Sequence, residues 1–204
     1  MVHPGQREID QPGAGPEADA DSDEALIVKA LALRDTRSFD VLVDRHQSRV
    51  RAYLRRMTRE PALADDLAQE TFIRAWNKLA SFSGKGSFAS WLMSIAHNQF
   101  LQAMRKMKRD RRLLDEVSAA SEDIDMPSAT PRSSTEGELP DLPKLLAVLS
   151  AAERSVMLLG YGFGFSHSEI TEVTGFALGT VKSHIHRSKA KIREKFSLGE
   201  LGNA

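Results

Sequence analysis

Pro61-Ala-Leu-Ala-Asp-Asp-Leu-Ala-Gln-Glu-Thr-Phe-Ile-Arg-Ala-Trp-Asn-Lys-Leu79 carries Leu63, Leu67, Phe72, Trp76 and Leu79 near a 3.6-residue period, which predicts an amphipathic helix with those residues on one face. Pro61 suits its first turn, where a missing N–H is no loss. Asp65, Asp66, Gln69, Glu70 and Arg74 fall largely elsewhere, so an acidic surface is expected beside the apolar one. After Phe82-Ser-Gly-Lys-Gly-Ser87, a second amphipathic run sends Phe88, Trp91, Leu92, Ile95, Ala96 and Phe100 inward. It passes into Met104-Arg-Lys-Met-Lys-Arg-Asp-Arg-Arg112, with six basic residues and one acid. A helix that begins with aromatic and amide groups and ends in such a cluster can stack on bases while its cations meet phosphates.

Upstream, residues 1–22 are rich in Pro, Gly, Ala, Asp and Glu and hold too few large apolar groups to offset the entropy of ordering, so a disordered tail is expected. From Asp23, the spacing of Leu26, Ile27, Ala30 and Leu33 predicts a short helix with Ser22 as N-cap. A longer helix follows from Ser38, with Phe39, Leu42, Val43, His46, Val50, Tyr53, Leu54 and Met57 on its apolar face and arginines elsewhere. It is expected to pack on the helix that starts at Pro61. His46 reads as a core or boundary histidine.

Downstream, residues 115–141 break the helical pattern. Asp115, Glu116, Glu122, Asp123, Asp125, Glu136, Glu138 and Asp141 face a single Arg132, with Pro127, Pro131 and Pro140 interspersed, which reads as a flexible acidic linker. A second helical unit begins near Leu142. Ser150-Ala-Ala-Glu153 and Ser166-His-Ser-Glu169 are capping boxes, and Gly175-Phe176 makes the turn of a helix-turn-helix. In the helix from Ala177 to Lys195, Val181, Ile185 and Ile192 face inward, while Lys182, Ser183, His186, Arg187 and Lys189 cluster outward. That is the layout of a recognition helix for the major groove.

The chain has 204 residues, 41% of them hydrophobic, enough for one or two small cores. Its 28 basic and 28 acidic residues cancel, but they are sorted along the chain, and sorted charge is what a nucleic-acid partner reads. With no cysteine there is no disulfide, zinc thiolate site or thiol switch within the chain. The first residues show no signal-peptide pattern and no apolar run is long enough to span a bilayer, so a cytoplasmic chain without membrane insertion of its own is expected. His167, His184 and His186 are not spaced with carboxylates as a metal site would be. Neither a metal nor another cofactor is expected.

Asp65-Asp-Leu-Ala-Gln-Glu-Thr-Phe-Ile-Arg-Ala-Trp76 and Gly86-Ser-Phe-Ala-Ser-Trp-Leu-Met-Ser-Ile-Ala-His-Asn98 resemble region 2 of bacterial sigma factors, the extracytoplasmic-function (ECF) class most closely. Gly179-Thr-Val-Lys-Ser183 with Arg187 resembles region 4.2 of the same class. The resemblance implies an all-α fold of two small helical domains, region 2 over residues 23–114 and the region 4 helix-turn-helix over 142–197, with a short tail at 198–204. It implies a transcription-initiation factor rather than an enzyme. Asp65, Asp66, Gln69 and Glu70 match the positions that bind core RNA polymerase. Trp91, His97, Asn98, Gln102, Arg105 and Lys106 match the face that captures the melted minus-ten strand of promoter DNA. Thr180, Lys182, Ser183, His184, His186, Arg187 and Lys189 match the reader of the minus-thirty-five duplex. An anti-sigma factor is a further partner that the resemblance implies. The alternative is a stand-alone helix-turn-helix regulator, whose other domain would carry a ligand pocket or a βα phosphoacceptor pattern.

Overall fold

The computed structural model describes residues 22–118 and 142–196, and all of their regular structure is helical. The expectations for the tail before Ser22, for the acidic linker beyond its first four residues and for the residues after Phe196 lie outside the described residues, while residues 115–118, expected to open that linker, are helical. Four helices form the first domain: α1 (Asp23–Ala32), α2 (Thr36–Thr58), α3 (Pro61–Lys78) and α4 (Phe88–Ser118). Four more form the second: α5 (Leu142–Ala147), α6 (Ala151–Met157), α7 (His167–Thr174) and α8 (Leu178–Phe196).

The helix starts follow their capping residues. The Ser22 hydroxyl accepts from the Ala25 N–H, and Asp35 accepts from the Arg37 N–H, which begins α2 two residues before Ser38. Pro61 opens α3 in the first turn. Ser150 with Glu153 and Ser166 with Glu169 are both complete capping boxes, each satisfying donors at the two ends of the box. Gly175 ends α7 in the left-handed region at φ 73°, a conformation open to glycine at little cost.

In the first domain Leu42, Val50, Tyr53 and Leu54 of α2 and Phe88, Leu92, Ala96 and Phe100 of α4 are buried together. Burying each large apolar side chain contributes about 1.5–3 kcal/mol. On α3 the buried line is Ala64, Ala68, Thr71 and Ala75, and of the expected leucine and aromatic face only Leu79, just past the helix end, is fully buried. Leu63, Leu67 and Phe72 are half-buried on the flanks, and Trp76 is 37% exposed with its ring 5.0 Å from that of Phe39. The physical reason is that α3 packs on both α2 and α4, so small residues occupy the line of closest approach and large ones close the sides. Leu33, expected inward on α1, lies just past the helix end and is exposed.

The second core gathers Leu146, Leu149, Val156, Leu158, Leu159, Ile170, Val173, Val181 and Ile192. Between α6 and α7 the backbone widens into an i→i+5 turn over Leu158–Gly162, followed by Gly164 at φ 73°. The two domains are packed on one another, α4 against α7 and α2 against α6.

Candidate nucleic-acid interface

The acidic face of α3 is unequal in its charge. Asp65 accepts two hydrogen bonds from Arg55, at 3.0 and 3.1 Å, and Glu70 accepts one from Arg74 at 2.6 Å. Asp66 and Gln69 are exposed between them. Both arginine pairs lie at the surface, where such pairs stabilise the fold by at most about 1 kcal/mol. Their larger effect is local, since they cancel part of the field around Asp65 and Glu70 and leave Asp66 as the acid directed at solvent.

On α4, Asn98, Gln102, Arg105 and Lys106 are exposed, and their spacing puts them on successive turns of one face. Trp91 is half-buried, its ring 5.6 Å from Phe82 and 5.5 Å from Phe88, so one edge of an aromatic cluster is open beside that face. His97 is not among them. Its side chain is 2% exposed and its Nδ1 lies 2.7 Å from the Tyr53 hydroxyl, while Nε2 has no hydrogen-bond partner. Burial pushes the His97 pKa down to about 4, so the ring is neutral. The same burial raises that of the Tyr53 hydroxyl. The expectation that His97 meets DNA is therefore corrected for this arrangement of the chain: one residue along a helix turns a side chain by about 100°, which carries it from the Asn98 face into the core.

On α8 the exposed side chains of Lys182, Ser183, His186 and Arg187 line one shallow basic depression. The Arg187 Nε–H donates to the Ser183 carbonyl at 3.4 Å, which leaves the outer part of the guanidinium turned outward. Thr180 and His184 are half-buried, the latter with its ring 5.3 Å from Phe176. Lys189 does not line the depression; its ammonium lies 5.2 Å from the Tyr161 ring centroid, a cation–π contact. Lys191, itself exposed, donates to buried Glu153 at 2.8 Å. Burial alone would raise the Glu153 pKa, but Lys191 and the Ser150 N–H and hydroxyl outweigh it and hold the carboxyl at about 2.

Sequence reasoning missed the residues that join the domains. The Arg154 guanidinium donates to the carbonyls of Leu146, Leu149 and, across the domain boundary, Met57. Tyr53 meets Phe163 edge-on at 6.2 Å, and Arg49 lies 5.6 Å from the Phe165 ring. Glu169 of α7 accepts from Ser87 and Ser90 at the start of α4, both at 3.2 Å. Only the capping-box motif pointed to Glu169, and it accounts for one oxygen of the two.

Among the described residues no three His, Asp or Glu side chains converge as a metal site, and no helix is long and apolar enough to cross a membrane. The Sigma-70 region 2 family model matches residues 42–110 and the Sigma-70 region 4 model matches residues 140–192. The RNA polymerase sigma factor CarQ of Myxococcus xanthus is 33% identical over 164 residues, covering 80% of this chain and 91% of that protein. The ECF RNA polymerase sigma factor SigW of Bacillus subtilis is 31% identical over 179 residues, 82% of this chain and 94% of that one. Among solved structures, the sigma factor RpoE in complex with the anti-sigma factor NepR from Bartonella quintana aligns with a TM-score of 0.64 at 28% identity, covering 79% of this chain and 98% of that one.

Proposed function

The chain belongs to the ECF RNA polymerase sigma factors, a family of transcription-initiation factors, and on that premise we propose how its surfaces divide the work. Residues 23–114 form the unit that docks on core RNA polymerase and holds melted promoter DNA, residues 142–197 the unit that reads duplex upstream, and residues 115–141 the acidic connection between them. Asp65, Asp66, Gln69 and Glu70 contact the polymerase, with Asp66 the dominant charge. Asn98, Gln102, Arg105 and Lys106, flanked by Trp91, take the minus-ten strand. The adjacent cations Arg105 and Lys106 suit backbone phosphates, and the amides of Asn98 and Gln102 suit base edges.

Lys182, Ser183, His186 and Arg187 enter the major groove at the minus-thirty-five element, with Thr180, His184 and Lys189 at the margin. One observation carries this reading: two separate polar, cation-bearing helix faces, on α4 and α8, each built on a buried apolar side. A stand-alone helix-turn-helix regulator needs only the second. Because RpoE was solved with an anti-sigma factor, an anti-sigma partner is proposed for this chain too, acting in the cytoplasm where polymerase is found. Run-off transcription with purified core polymerase is the test. Promoter-specific product that requires this chain supports the proposal, and equal product without it refutes it.

A further inference from the structure

The end of α2 carries more positive charge than its surroundings neutralise. Arg55, Arg56 and Arg59 stand there together, and the buried guanidinium of Arg154 reaches the same turn to bond the Met57 carbonyl. Asp65, bonded to Arg55, is the one carboxylate paired with this group among the described residues. The Arg56 side chain bonds the Ala52 carbonyl and lies 6.0 Å from the Phe163 ring. Arg59 ends the helix in the left-handed region at φ 62°, a position that glycine or asparagine ordinarily takes. Burial lowers the pKa of Arg154 and the charge of Arg59 lowers it further, so these two cations repel one another. Cations suit a helix C-terminus because its carbonyls lack partners, yet the bond to the Met57 carbonyl comes from Arg154, and Arg55 and Arg56 point their donors elsewhere.

Beside these arginines lies a cavity of about 730 Å³ between α2 and α5, walled by Ala52 on one side and by Leu142, Pro143 and Leu146 on the other. A second cavity, of about 400 Å³, shares Arg56, Leu142 and Leu146 with the first and continues between α5, α6 and α8 among Leu149, Leu158 and Ile192. Each volume falls within the range of small-molecule sites, about 300–1,000 Å³. The pair is polarised, with guanidiniums at one end and leucines at the other. Leu142 is 45% exposed and marks the open side.

We infer that the two cavities form one binding site for a small amphiphilic anion, an alkyl carboxylate whose head meets Arg56 and Arg59 and whose chain enters between α5, α6 and α8. The head supplies the negative charge that the arginines lack, through charge-assisted hydrogen bonds. A peptide would bring amides into an apolar chamber that offers them few partners, at the cost of burying unpaired polar groups. An alkyl chain carries no such cost. The site goes beyond the proposed function and shares no residue with the faces assigned above to polymerase and DNA. Its walls come from both domains, so a bound anion also favours the arrangement in which α2 and α5 stay together.

Calorimetric titration of the full chain with dodecanoate, kept below the concentration at which it forms micelles, reads the site. One dodecanoate per chain is expected, bound about tenfold tighter than dodecanol, which has the same chain without the charge. Arg59→Gly removes a guanidinium and relieves the left-handed backbone. That variant should melt no lower than the parent, yet bind dodecanoate several-fold more weakly and dodecanol unchanged. Leu142→Trp fills the chamber from its exposed side and should weaken both ligands. Equal affinity for dodecanoate and dodecanol overturns the inference, as does undiminished dodecanoate binding in Arg59→Gly. Uptake of many dodecanoates per chain without saturation does so too, since it marks adsorption to the surface. A peptide of residues 132–141, which carries Glu136, Glu138 and Asp141, is the rival occupant: if it displaces dodecanoate from the parent, the cavities belong to the chain's own acidic segment and the inference falls.

Discussion

Arg154 donates to the Met57 carbonyl at 3.3 Å, a bond from the second domain to the last turn of α2, where carbonyls lack partners within the helix. The same guanidinium caps the carbonyls of Leu146 and Leu149, so one buried side chain serves three backbone acceptors in two domains. Arg154→Ala is expected to destabilise the fold by about 2–4 kcal/mol, the cost of leaving buried acceptors unpaired. Urea unfolding measures it. Lysine cannot reproduce the fork, so Arg154→Lys should recover little of the loss.

On α8 the cations separate by role. Arg187→Ala is expected to cost about 1–3 kcal/mol on the cognate minus-thirty-five duplex and less on a scrambled one. Lys191→Ala should leave the salt slope of DNA binding unchanged and lower the melting temperature instead, because Lys191 is paired with Glu153. Fluorescence titrations across salt concentrations, read beside thermal melts, tell the two apart. Equal losses of affinity on both duplexes would show Arg187 to be a phosphate clamp.

Acid should unfold the chain through two groups. Glu153 has a folded pKa of about 2, below its ordinary 4.5, so its stabilisation is present above pH 4.5 and is lost as pH falls toward 2. His97 is held at about 4 against an ordinary 6.5, so protonation favours the unfolded chain as pH falls from 6.5 to 4. Stability is therefore expected to decline in two stages. Glu153→Gln should be less stable than the parent at neutral pH and flatten the lower stage, and His97→Gln should flatten the upper. Urea midpoints measured from pH 7 to pH 3 would reveal whether either stage is missing.

The acidic face makes a ranked expectation. Asp66→Lys should weaken binding to core polymerase by about tenfold or more, since attraction becomes repulsion, while the Arg55 partner of Asp65 and the Arg74 partner of Glu70 already offset those acids. Asp65→Asn should have the smaller effect. Competition between variants for core polymerase, with circular dichroism to confirm equal helicity, gives the ranking.

Much of the fold was legible in the residues because capping is local chemistry. Ser22, Pro61, Ser150 with Glu153 and Ser166 with Glu169 set helix starts from within one turn, and the helices begin there. Periodicity erred on α3, since a helix between two neighbours buries its small residues most deeply, and alanine carries little weight in a hydrophobic pattern. It also could not separate His97 from Asn98, adjacent residues that a helix sends to the core and to solvent. The domain contact had no signature at all. It depends on the second oxygen of Glu169, on the backbone oxygen of Met57, and on aromatic rings beyond a loop, none of which leaves a repeat in the sequence.

The widened turn at Leu158–Gly162 acts as a phase shifter. One additional residue per turn rotates the downstream chain by about 100° relative to a regular helix, and immediately downstream lie Phe163 and Phe165, the rings that meet Tyr53 and Arg49 of the first domain. Removing a single residue there would leave the core composition of either domain almost untouched yet turn both rings away from α2. The mutual orientation of α4 and α8 thus depends on the number of residues in a short turn, and an insertion or deletion there would retune it.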